Sequence, residues 1–104
     1  MDNSKLKDFV ARCWDADIVG QLIEYIKIPN KSPMFDPMWS EHGYMEEAMS
    51  LIETWVRDQP IAGMQVERIQ LPGRTPLLFI EIPGKGDDTV LLYGHMDKQP
   101  EMIG

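Results

Sequence analysis

The stretch 90–101 reads VLLYGHMDKQPE. Val90-Leu91-Leu92-Tyr93 is an unbroken apolar run. A strand with one wet face alternates in polarity. A continuous run is the pattern of a strand covered on both faces, as in the middle of a sheet layered with helices. Gly94 ends the run, and His95, Met96 and Asp97 follow. Ligands of open α/β sheets bind just beyond the carboxyl ends of strands. Residues i and i+2 of an extended chain share a side, so His95 and Asp97 can converge on one spot while Met96 points away. Gly94 allows close backbone approach, and Pro100 stiffens the exit.

The segments before this run supply the rest of the layer. Gln65-Val66-Glu67-Arg68-Ile69-Gln70-Leu71 alternates as a half-exposed strand does. The turn 71–76, with Pro72, Gly73 and Pro76, separates it from residues 77–82, which predicts an antiparallel pair. Gly84-Lys85-Gly86 resembles a phosphate loop only superficially. It lacks the upstream glycine and the following Ser or Thr, and it leads into a strand where a phosphate loop opens a helix. It reads as a turn.

The N-terminal half is helical in pattern. Ser4 precedes an apolar face of Leu6, Phe9, Val10 and Cys13 that closes near Trp14. Asp15 or Asp17 is placed to cap a second helix with Ile18, Val19, Leu22, Ile23 and Ile26 on one face, and Pro29 stops it. The loop 29–39 holds three prolines, and its Met34, Phe35, Met38 and Trp39 are too apolar for a solvated linker. They either pack on the domain or cover something else. Ser40 is placed to cap a helix to about residue 58, with Met45, Ala48, Met49, Ile52, Trp55 and Val56 on one face. Glu41, Glu46, Glu47 and Glu53 make a solvated face, and the early acids suit the positive end of the helix dipole. The order of elements predicts an α/β fold in which N-terminal helices pack on a mixed β-sheet.

A chain of 104 residues supports one domain. Seventeen acids against ten bases give a net charge of -7. With no basic run interleaved with aromatics, nucleic acid and anionic membrane are poor partners. No segment reaches the roughly 20 consecutive apolar residues of a membrane span, and the N-terminus does not resemble a signal peptide. A cytoplasmic protein is the expectation. Cys13 has no second cysteine to pair with; it reads as a small buried hydrophobe, with a reactive thiol as the alternative.

The chemistry concentrates at His95 and Asp97. A neutral imidazole is a good zinc ligand, and a neighbouring carboxylate fixes its ring and raises its basicity. The alternative is a hydrogen-bonded histidine at a strand end with Asp97 as a turn residue. A metal-free His95–Asp97 base has no Ser or Cys nucleophile beside it to activate. His42, in a first helical turn beside Glu41 and Gly43, reads as a surface histidine. No tight His/Cys cluster of the structural zinc type is present in the sequence.

LLYGHMDKQPEM resembles the first signature of the aminoacylase/carboxypeptidase-G/dipeptidase family of zinc metallopeptidases: an apolar strand, Gly-His-x-Asp, then a nearby proline. Lys98 departs from the valine common there, while Gln99-Pro100 is similar to the dipeptidase-like branch. Leu22-Ile23-Glu24-Tyr25-Ile26-Lys27-Ile28-Pro29, the helix at 40–58 and the hairpin also follow the family's order. The resemblance implies a partial hydrolase-like zinc peptidase catalytic domain. In it, His95 ligates one zinc of a site that usually holds two, and Asp97 is the catalytic carboxylate that orients His95. It implies hydrolysis of an amide bond in a dipeptide or N-acyl amino acid. The remaining carboxylate ligands, the glutamate base and the last histidine follow the signature in the family. Residues 1–104 are therefore expected to be the N-terminal part of a single catalytic domain without the lid, inactive alone, weak in zinc binding and prone to self-associate at a sheet edge. The rival expectation is a free-standing α/β interaction module that binds through the 34–39 loop or a sheet edge.

Overall fold

The computed structural model describes residues 2–103. Helix α1 (Asn3–Cys13) starts two residues earlier than Ser4 suggests, because the Asp2 carboxylate accepts from the backbone N–H groups of Ser4, at 2.9 Å, and Lys5, at 3.2 Å. No second cap intervenes at Asp15 or Asp17. A π-helical turn (Trp14–Ile18) carries the chain straight into α2 (Val19–Ile26). A plain α-helix would continue the stripe Leu6, Val10, Cys13 onto Asp17, Gln21 and Glu24. One extra residue in the turn moves it onto Ile18, Leu22 and Tyr25 instead. The two apolar patterns read in the sequence are thus one helix whose phase is reset.

Beyond α2 the chain enters the interior at Ile28 and at Asn30, which is 1% exposed. Residues 32–38 form consecutive turns; Met34, Phe35 and Met38 remain exposed while Trp39 is half-buried, so the apolar loop is only partly covered among the described residues. The long helix expected from Ser40 is split. Gly43, at φ 74°, takes the left-handed region and separates α3 (Trp39–His42) from α4 (Tyr44–Arg57). The core lies along one face of α4: Met45, Ala48, Met49 and Val56 are buried with Ile28.

Strands β1 (Gln65–Ile69) and β2 (Leu77–Glu81) pair antiparallel, with Val66 opposite Ile80 and Arg68 opposite Leu78. The hairpin is tied to α4 by charged side chains. Arg68 meets Glu46 at 2.6 Å and Glu53 at 3.7 Å, and Arg57 Nη2 donates to the Val66 carbonyl at 3.1 Å. The chain is thus α/β, built of helices and a two-stranded antiparallel sheet.

Two expectations change. Among the described residues the sheet is antiparallel and not mixed, and the one parallel pairing, an isolated bridge between Lys31 and Lys98, lies outside it. The segment 90–93 is not a buried central strand. Its four side chains are between 84% and 90% exposed, and it joins no strand among the described residues. The apolar run signals what the segment is suited to bury, and burial also needs flanking strands and a covering layer.

The molecule is correspondingly open. Its radius of gyration is 16.4 Å, against about 13 Å for a compact chain of this length. With so few buried side chains, each one weighs heavily. Met49→Ala is expected to destabilise the fold by about 2–5 kcal/mol, whereas Met34→Ala, at an exposed site, should stay within about 0.5 kcal/mol. Urea unfolding followed by tryptophan fluorescence measures both, and equal effects would place the core elsewhere.

Candidate metal centre

The residues 95–98 are held on the C-terminal end of α2 and the turn after it. Lys98 N–H donates to the Asn30 carbonyl and Ser32 N–H to the Lys98 carbonyl, each at 2.9 Å. The Met96 carbonyl accepts from Asn30 Nδ2 at 3.0 Å and from the Tyr25 hydroxyl. Lys98 Nζ donates to the Tyr25 carbonyl at 2.5 Å and to the Ile28 carbonyl, and it sits 4.0 Å from the centre of the Tyr25 ring. Carbonyls at the end of a helix carry the negative end of the dipole, and an ammonium placed there suits it. Partial burial pulls the Lys98 pKa below its ordinary value. Burial likewise raises that of Tyr25.

On this support His95 and Asp97 do meet. His95 Nδ1 lies 2.8 Å from Asp97 Oδ1 and 2.9 Å from the Asp97 backbone carbonyl. With two acceptors facing it, Nδ1 carries the proton, and Nε2 keeps its lone pair. The His95 side chain is 62% exposed and that of Asp97 is 32% exposed. An apolar groove of about 270 Å³, lined by Leu22, Tyr25, Ile52, Trp55 and Met96, reaches His95 between α2 and α4. A larger cleft of about 620 Å³, lined by Glu24, Lys27, Glu47 and Asp58 among others, includes neither His95 nor Asp97.

The bond to the Asp97 carboxylate, reinforced by the backbone carbonyl, raises the His95 pKa above 6.5. A raised histidine pKa means that the pair stabilises the fold fully below pH 6.5, and that this contribution fades as pH rises through the folded value. A proton also competes with a metal for the imidazole, so metal affinity should climb over the same interval. Histidine NMR should give His95 a midpoint above 6.5, returned toward 6.5 by Asp97→Asn. A wild-type midpoint at or below 6.5 would remove the pair.

The other expected features sit apart from this centre. His42 Nδ1 pairs with Asp36 Oδ2 at 2.7 Å across its own turn and is exposed, as a surface histidine should be. Cys13 is half-buried in α1 and unpaired. Among the described residues no three His, Cys, Asp or Glu side chains gather to hold a metal ion. Tyr25, Asn30 and Lys98 were not legible as parts of the site, although Lys98 stands where the sequence leaves the family pattern. No protein-family model matches the chain, and no curated protein matches it.

Proposed function

We propose that this chain forms part of the catalytic domain of a zinc-dependent amidohydrolase that cleaves dipeptides or N-acyl amino acids. The observation that carries the reading is the His95–Asp97 pair, whose 2.8 Å contact occupies Nδ1 and leaves Nε2 free. The donor set fits half of a metal site: one neutral imidazole, oriented by a carboxylate. A catalytic zinc takes about three protein ligands, so the proposal requires further ligands from outside the described residues. The open apolar segment 90–93 supports this, since it lacks the flanking strands that its composition suits.

Zinc bound there supplies a Lewis acid and lowers the pKa of its water. The chain's own contribution is positional. Asp97 holds the imidazole in the Nδ1–H tautomer, His95 presents Nε2 toward solvent, and the groove beside Met96 offers an apolar wall to a substrate side chain. The test is zinc content and dipeptide or N-acyl amino acid hydrolysis in a polypeptide that supplies the remaining ligands, with and without His95. The exposure of 90–93 also favours a second reading, an interaction module in which this segment binds a partner. Partner binding untouched by His95→Ala and by chelators would favour that reading.

A further inference from the structure

We propose that Tyr25, Asn30 and Lys98 are positioning residues, a clamp that fixes the backbone on both sides of Asp97 and thereby selects the Nδ1–H form of His95. The use of that form for metal binding rests on the zinc reading above; the clamp itself does not.

Among the described residues the His95 imidazole is held only by Asp97, through its carboxylate and its backbone carbonyl. Its orientation is therefore as good as the placement of the Asp97 backbone. The peptide before Asp97 is pinned by the Met96 carbonyl, which takes bonds from Tyr25 and Asn30. The peptide after it is pinned by Lys98 N–H on the Asn30 carbonyl. Asn30 thus grips both flanks, one with its side chain and one with its backbone. Residues 84–94, by contrast, make no backbone hydrogen bond among the described residues. The order at His95 comes from the downstream side alone.

Burial points the same way. A buried amide N–H is costly unless hydrogen-bonded, and Asn30, 1% exposed, satisfies its Nδ2 on the carbonyl between His95 and Asp97, while its Oδ1 has no partner among the described residues. Lys98 completes the clamp by anchoring its side chain on the carbonyls of Tyr25 and Ile28. Tyr25 acts at both ends: its hydroxyl holds Met96, and its carbonyl holds Lys98.

The experiment is ¹⁵N NMR of the imidazoles of the 104-residue chain at about pH 9, above the ordinary histidine range, with His95→Ala to assign the signals. Wild type should show His95 mainly as Nδ1–H. Tyr25→Phe combined with Asn30→Ala should cut the Nδ1–H to Nε2–H ratio about tenfold, the scale of one lost charge-assisted bond. Tyr25→Phe alone keeps the ring and should shift the ratio less, in the same direction. Val56→Ala, a core substitution away from the clamp, should leave it unchanged. A wild-type chain in the Nε2–H form, a double variant with the wild-type ratio, or an equal shift in Val56→Ala each overturns the clamp. Zinc is absent throughout, so the clamp stands or falls here on its own, while the zinc reading is decided separately by metal content in a polypeptide that supplies the remaining ligands.

Discussion

Replacing His95 with alanine, in a polypeptide that supplies the remaining ligands, is expected to remove zinc and hydrolysis together. The loss should be graded across the pair. Asp97→Asn keeps the imidazole and removes the charge that orients it, which typically costs about 10–100-fold in metal affinity or activity. His95→Ala deletes the ligand itself, so its effect should exceed that of Asp97→Asn on both readouts. His42→Ala serves as the control, because His42 is engaged with Asp36 in a separate turn. Metal content and turnover, measured side by side, decide the matter. Full zinc occupancy in His95→Ala would remove His95 from the coordination sphere. An Asp97→Asn enzyme as impaired as His95→Ala would make Asp97 more than an orienting group.

The 104-residue chain is expected to self-associate, with the 90–93 segment at the contact. Its accessible surface is 8772 Å², roughly 2,800 Å² more than a compact monomer of this mass exposes. A stable interface buries about 1,200–2,000 Å² in total, so the excess is ample for one. Val90, Leu91, Leu92 and Tyr93 contribute apolar side chains and an unpaired backbone, the combination that recruits another strand. Sedimentation should show mass rising with concentration. Leu91→Lys should weaken association by at least about tenfold, since burying one such side chain is worth about 1.5–3 kcal/mol. A chain that stays monomeric over a wide concentration range would show that the segment is satisfied within the molecule. A polypeptide that supplies flanking strands should lose the association.

The features legible in the sequence are those whose causes are local. The His95–Asp97 contact spans two residues, and the alternation of residues 65–71 needs only its own period. Likewise the core face of α4 follows from spacing within one helix. The support of the site was hidden because its contacts are distant: Lys98 Nζ reaches the Tyr25 carbonyl across 73 residues. No pattern within either segment announces that meeting. The split at Gly43 could have been read, since only glycine adopts φ near +74° without strain. It was masked by the strong apolar period that continues on its far side. The segment 90–93 failed differently. Hydrophobicity reports an affinity for burial, and the neighbours that would provide it are not among the described residues.

The π-helical turn at Trp14–Ile18 has a bearing on how freely the N-terminus can vary. Each residue of a helix turns it by about 100° and advances it 1.5 Å. Deleting one residue within the turn would restore ordinary α geometry and swing everything upstream through that angle. Leu6, Val10 and Cys13 would move off the face continued by Ile18, Leu22 and Tyr25, while α2 and its grip on Lys98 stayed in place. The turn therefore works as a register joint. It uncouples the aim of the first eleven helical residues from the placement of His95, so the arm and the candidate site can change independently.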